Sequence, residues 1–468
     1  MNNNKYVYKT YIIYFGIIAI AYSIPPFFAS IFLIGLFLYG IFIEKDIVKW
    51  LALFLLISNS PGFIFSFADA NYDLKTLGIG LTDERGVSFQ EFFILLLFFF
   101  ALKRNNRFIS IFKKMYIVMA VYIFLMFILS IYDLGAFKVL KTVRGFIPHL
   151  AFFFLPVLLM KTSDYRRLII LLIPFPLFVV FIQVFELVTQ QEMIITLGSS
   201  LDWGGSIEGG STISRQNYSQ VLLLFVLFGS FYLLNNSNKN IYSQRFLYII
   251  IGLVNISIFI SATRGYFLAS FIGTILYLLL SLKKGRSFQF AFYGIIIIAI
   301  FLQLPIMQKQ FIGAYERIAS IGEILTDIEG AGIEETSRIR YFNDMMDKFS
   351  EKPFLGYSFT QKFWEYSNIH SGFPTNLING GVVGLLIILY FFTALYVKVL
   401  KWDNKNLKLL AIALTTYIVV HATSNYIFNY VHLSQADSRA LVIPIIYSFF
   451  STIIIENKLL SKENARYN

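Results

Sequence analysis

Apolar runs of about 15 to 25 residues with few charges recur from one end of the chain to the other, each long enough, or barely so, to cross about 30 Å of hydrocarbon. The polar stretches between them are mostly short. The runs lack the period-two alternation of barrel strands, so each is expected to be a helix whose backbone groups are satisfied within the segment. Candidate spans cover 10–24, 26–43, 50–67, 89–102, 115–132, 145–160, 168–188, 217–234, 246–262, 266–282, 288–304, 376–400, 409–428 and 438–455. The expected fold is therefore all-α: one polytopic membrane domain over 1–468, with about 14 transmembrane helices. Thr10 to Ile24 has the length of a signal sequence, but Pro25 and Pro26 lead straight into another apolar run, so a retained short hairpin is expected.

Three segments on one side exceed a turn: 68–88, 189–216 and, largest, 305–375. Seventy residues without structure would be unusual, and this segment carries helical spacing. Phe311, Tyr315, Ile318 and Leu325 mark one helix, and Ile339, Phe342, Met346 and Phe349 a second, which Thr336 or Ser337 can cap and after which Pro353 and Gly356 follow. It is expected to form a helical extracytoplasmic loop domain between the eleventh and twelfth spans.

Composition strengthens this picture, since 57% of residues are hydrophobic and 14% charged, against about a quarter charged in soluble domains. The net charge of +12 would suggest nucleic acid in a soluble protein. Here, Lys103, Arg104, Arg107, Lys113 and Lys114, then Lys283, Lys284 and Arg286, then Lys398, Lys401, Lys405 and Lys408 gather on one side of the spans, the distribution that marks cytoplasmic loops. Both termini then lie in the cytoplasm, and the lipid bilayer, not nucleic acid, is the expected partner. Cysteine is absent and only four His are present, which removes thiolate chemistry and makes a metal site improbable on composition.

The remaining chemistry falls to residues at outer helix ends. Arg264, in Ser-Ala-Thr-Arg-Gly between two closely spaced spans, is either a fork-shaped clamp for phosphate or carboxylate or a snorkelling side chain that ends two helices. Arg215 precedes the eighth span beside Ser214 and Asn217, and can bind an anion at that helix start or simply anchor it. Arg144, after Lys138 and Lys141, reads first as an interfacial anchor. Arg338 and Arg340 lie in the second helix of the large loop, where one of the two is expected to face solvent. His370, the one His of that loop, can accept a proton from a hydroxyl or donate to phosphate, but a polar loop residue is the plainer reading. His149, in a largely apolar run, is expected to satisfy a neighbouring helix; His421 and His432 carry no partner that the sequence identifies, and the carboxylates Asp202, Glu208 and Glu365 read as solvated loop residues.

Taken in order, Thr263-Arg264-Gly265, Ser337-Arg338 through Phe342, Pro353-Phe-Leu-Gly356-Tyr357, His370 and Asn379-Gly-Gly-Val-Val-Gly384 resemble the O-antigen polymerase and ligase superfamily, the Wzy-type and WaaL-type proteins of bacterial surface-polysaccharide assembly. The pattern is Arg with an aromatic four residues on, a Pro-x-x-Gly turn, a loop His and a Gly-rich start to the next helix. Two positions depart from it: Ser371 follows His370 where the family often has Asn, and Phe342 stands where Trp is common. The resemblance implies a glycosyltransferase of the bacterial cytoplasmic (inner) membrane that takes a polyprenyl-diphosphate-linked oligosaccharide donor and needs neither cofactor nor metal. On the residues quoted it implies catalytic roles for His370, Arg264 and Arg338, with Arg215, Arg144, Arg340, Asn217 and Tyr357 binding diphosphate or sugar. Flippase and chain-length regulator proteins are the partners it implies. Polymerisation of repeat units, ligation to lipid A-core and flippase-type transport remain alternatives; the last predicts broken helices and charges within spans, of which the sequence shows few.

Overall fold

The computed structural model describes residues 3–23, 26–59, 89–103, 113–189, 219–236, 241–261, 264–281, 344–358, 372–400 and 441–467, with isolated positions besides. All regular structure among these residues is helical. Two compact units are formed, each from two separated stretches of chain.

The first unit takes residues 1–89 and 163–321. It contains α1 (Asn3–Ser23), α2 (Pro26–Tyr39), α3 (Ile47–Ser58), most of α7 (Thr162–Leu172), and α8 (Phe175–Thr189), α9 (Gln220–Asn235), α10 (Gln244–Ile260) and α11 (Arg264–Ser281). Helix α10 packs against α8, α9 and α11 through fully buried aliphatic side chains such as Ile250, Ile251 and Val254. Of the polar groups in this bundle, some bond back to their own helix, as Ser230 Oγ does to the Val226 carbonyl at 2.8 Å, and others pair across helices. Gln183 and Ser257 exchange hydrogen bonds, with Ser257 Oγ donating to Gln183 Oε1 at 2.8 Å, and Gln220 Nε2 donates to Ser261 Oγ at 2.6 Å.

Two local devices shape the other face of this unit. Helix α2 ends in a π turn, Gly40–Glu44, and a Cβ at Gly40 would meet the Trp50 ring at 1.9 Å, so only glycine lets the indole lie there. Asp46 caps α3 at the Lys49 amide, and its carboxylate also accepts from Tyr6 Oη and, at 2.6 Å, from Arg167 Nη2, tying α1, α3 and α7 together.

The second unit takes 90–162 and 322–468. It contains α4 (Phe89–Lys103), α5 (Lys113–Val143), a 3-10 segment Arg144–Leu150, α6 (Ala151–Leu158), α12 (Gly372–Leu400) and α13 (Val442–Tyr467). Helix α13 packs on α6, with Phe152 edge-on to Tyr447 at 5.4 Å, and α12 packs on α5. On α5 the usual amphipathic order is inverted: Tyr122, Met126 and Ser130 are buried, while Phe124, Leu125, Ile128 and Leu129 are exposed. An apolar outer surface on a helix of this length belongs against lipid.

Thr162–Thr189, taken through α7 and α8, and Gly372–Tyr390 are long and apolar enough to cross a membrane; among the described residues the other helices carry shorter apolar stretches, such as Ala120–Asp133 of α5. Several predicted spans change form. The 115–132 span continues as α5 to Val143, so Lys138 and Lys141 ride on a helix and not in a loop. The 145–160 span begins as a 3-10 segment containing Pro148, whose missing N–H and ring resist an α-helix start. The 168–188 span is two helices that meet at Pro174 and Pro176. The segments 68–88 and 190–216, nearly all of 288–304 and the proposed helix around Phe311–Leu325 lie outside the described residues.

Candidate functional site

The largest departure from a simple helix lies where the motif residues concentrate. Helical turns over 344–351 end in the Pro353–Ser358 turn, and α12 is broken at Gly381, whose φ of 61° and ψ of −161° only glycine adopts without strain. Breaking a helix orphans carbonyls before the break and amides after it. The turn satisfies both sets. Tyr357 and Ser358 donate their amides to the carbonyls of Ile378 and Asn379, each at 2.7 Å, and Val382 and Val383 donate theirs to the carbonyls of Pro353 and Phe354, at 2.8 and 3.2 Å.

This close approach of two backbones explains the glycines of both motifs. Gly356, at φ 63°, has the Ile378 and Asn379 carbonyl oxygens at 2.5 and 2.6 Å from where a Cβ would stand. A Cβ on Gly381 would meet the Phe354 carbonyl at 2.3 Å. Gly380 and Gly384, one helical turn apart, leave room for the Tyr122 hydroxyl, which a Cβ on either would meet at 1.9 or 2.3 Å.

Side chains lock the same junction. Asn379 is buried; its Nδ2 donates to the Ser358 carbonyl at 2.6 Å and its Oδ1 accepts from Tyr122 Oη at 3.4 Å. Ser358 holds a left-handed φ of 56° and turns its hydroxyl to Met126 Sδ on α5 at 3.5 Å. Tyr357 is 1% exposed, and its hydroxyl donates to Glu351 Oε2 at 2.7 Å and to the Lys348 carbonyl at 3.2 Å. Burial, and then the bond to the Glu351 carboxylate, push the Tyr357 hydroxyl above its ordinary value. Glu351 is held below the usual carboxylate value by its bonds with Lys348, at 2.8 Å, and Tyr357, and Lys348 is raised by the same pairing. Tyr366 stands edge-on to the Tyr357 ring at 5.3 Å.

Of the residues the sequence singled out, Tyr357 is thus placed in full. It is a buried post of the turn, with its hydroxyl already engaged within the protein. Arg264 is the first residue of α11, and Arg144 opens the 3-10 segment; the backbone of each is described. Arg264 therefore sits at a helix N-terminus, where unpaired amides favour anions. His370, Arg338, Arg340, Arg215 and Asn217 lie outside the described residues. His370 falls two positions before α12 begins at Gly372, in the connection from the anchored turn to the broken helix. Among the described residues, no group of three His, Asp or Glu could hold a metal ion.

Tyr122 and Ser358 were not marked by the sequence, and Asn379 was noted only as part of a motif. Tyr122 and Asn379 meet across 257 positions, a pairing that no local spacing reveals. The signal for Asn379 was present in its place before Gly-Gly. The structure also moves that Gly-rich segment from the start of a helix to a break inside one. Glycine marks both situations, and only the docking of 353–358 distinguishes them.

Comparison with known proteins points to the same stretch of chain. No curated protein matches the chain. A family model described as O-antigen ligase matches residues 246–389, a segment that includes Arg264, Arg338, Arg340, Tyr357, His370 and the broken part of α12, and excludes Arg144, Arg215 and Asn217. Its members are membrane proteins, in keeping with the apolar outer face of α5. Over residues 246–389, this chain is similar to the O-antigen polymerase and ligase superfamily.

Proposed function

We propose that the protein is a polysaccharide polymerase that extends polyprenyl-diphosphate-linked oligosaccharide repeat units on the outer face of the bacterial cytoplasmic membrane. The observation that carries this reading is the coincidence of the family match with the interlocked turn and broken helix, built from the same motif residues. In the proposed reaction, a hydroxyl of the acceptor sugar attacks the anomeric carbon of the donor. The glycosidic C–O bond forms as the bond to the diphosphate breaks, and attack opposite the leaving group inverts the anomeric centre. His370 takes the hydroxyl proton as general base. Arg264 and Arg338 balance the negative charge that gathers on the departing diphosphate, with Arg340, Arg215, Arg144 and Asn217 on the surrounding phosphate and sugar groups. Tyr357, whose hydroxyl is engaged with Glu351, has a positioning role in this scheme and does not bind sugar directly. The 305–375 segment covers the sugars, both termini are cytoplasmic, and about 14 helices span the bilayer. No cofactor or metal enters the scheme, and the flippase and chain-length regulator are partners in the same pathway.

Ligation is the second reading, favoured by the description of the matched family. A broken helix also suits transport. One experiment separates the three. Purified protein in liposomes receives a lipid-diphosphate-linked repeat unit, with and without lipid A-core, in the presence of a chelator. A ladder of longer lipid-linked chains supports polymerisation. Transfer to lipid A-core alone makes the protein a ligase, and movement across the bilayer without new glycosidic bonds overturns the transferase reading.

A further inference from the structure

The tip of the Pro353–Ser358 turn is apolar and uncovered, with Phe354 75% and Leu355 51% exposed. Through the bond from Val383 to the Phe354 carbonyl, this tip joins a face of α12 on which Val382, Val383 and Leu386 are also exposed. Immediately before the turn the surface is charged, through Asp347, Lys348, Glu351 and Lys352. The change from charge to hydrocarbon occurs within two residues.

The unbroken part of α12, taken as the membrane span, sets the depth of that change. From Val382 to Leu400, α12 rises about 27 Å at 1.5 Å per residue, close to the roughly 30 Å of a bilayer core. Lys398 and Lys401 mark the far end. Val382 and Val383 therefore fall at the opposite edge of the hydrocarbon, and Phe354, bonded to Val383, falls with them.

We infer that the Pro353–Ser358 turn is inserted in the membrane, with Phe354 and Leu355 among the acyl chains of the leaflet adjoining the 305–375 segment. Bilayer lipid is the occupant because the exposed tip continues the outward apolar face of a spanning helix without a step. This inference rests on the membrane reading and is independent of the reaction catalysed.

The chain has no cysteine, so a nitroxide label can be placed at one position at a time. Leu355→Cys and Phe354→Cys are labelled in full-length protein in phosphatidylethanolamine and phosphatidylglycerol liposomes. Asp347→Cys serves as the aqueous reference and Leu125→Cys, on the exposed face of α5, as the lipid reference. Collisions with oxygen and with a water-soluble nickel complex are measured at each site. Insertion predicts that the oxygen-to-nickel ratio at 355 and 354 exceeds that at 347 by roughly tenfold, since a polar complex is excluded from hydrocarbon. A ratio at both positions equal to that at 347 overturns the inference, as does protection from both reagents, which would mean that protein covers the tip. If the label at 125 also behaves as at 347, the membrane reading fails together with the inference.

Discussion

The α8–α11 bundle and the broken α12 hold themselves together by different means. In the bundle each helix satisfies its own backbone, and neighbours meet through side chains, as they do beyond it, where Gly229 of α9 faces the Cγ2 methyl of Ile169 on α7, which a Cβ would meet at 2.7 Å. At the break the backbone itself is the contact surface, and the atoms facing Gly381 and Gly356 are carbonyls. Side-chain contacts can adjust by rotating a bond. Main-chain contacts cannot. A glycine has a different meaning in each region, although the residue is the same.

Matched substitutions sharpen this comparison, and the largest effect is expected at the break. Gly381→Ala combines a glycine-only backbone conformation with a clash against the Phe354 carbonyl, and should cost about 3 kcal/mol or more. In denaturant unfolding of the purified protein, an unchanged midpoint would show that the break is not held as described. Asn379→Ala should cost about 1–3 kcal/mol, because it leaves the Ser358 carbonyl buried without its partner. Amide hydrogen exchange at Ser358 should accelerate in this variant and remain slow at Ile250 in α10. Gly229→Ala should cost less, about 1–2 kcal/mol, as gained helix propensity offsets part of the overpacking against the Ile169 methyl. A cost equal to that of Gly381→Ala would erase the distinction between the regions.

The smallest effect is one of pH. The Glu351 carboxyl is held below its ordinary 4.5, so its contribution to the turn is complete above that value. It is lost as pH falls through the lowered value. Exchange of the Tyr357 and Ser358 amides should therefore speed up only in that acid range, and Glu351→Gln should remove the dependence.

How much of this was legible in the sequence follows the same division. The apolar runs predicted α4, α9, α10 and α11 to within a few residues, because a continuous helix is a local property of its own side chains. Pro353 and Gly356 correctly ended the helical turns over 344–351, also a local signal. The break at Gly381, the kink at Pro174 and Pro176, and the long extension of α5 were not legible. The break depends on the carbonyls that the distant 353–358 turn supplies to Val382 and Val383, whereas the two prolines are a local signal hidden within a continuous apolar run. For the site, order and spacing located the segment that the family match then covered. Spacing could not show that Tyr357 is buried with its hydroxyl committed to Glu351.

The central claim is that the 246–389 segment performs glycosyl transfer with Arg264 on the leaving diphosphate. Its most direct test is elongation of a lipid-diphosphate-linked repeat unit by Arg264→Ala beside wild type, in liposomes, with exchange protection at Val382 and Val383 measured on the same samples. The account predicts a loss of about 100-fold or more in elongation while those amides remain protected. Undiminished elongation by the variant would contradict it.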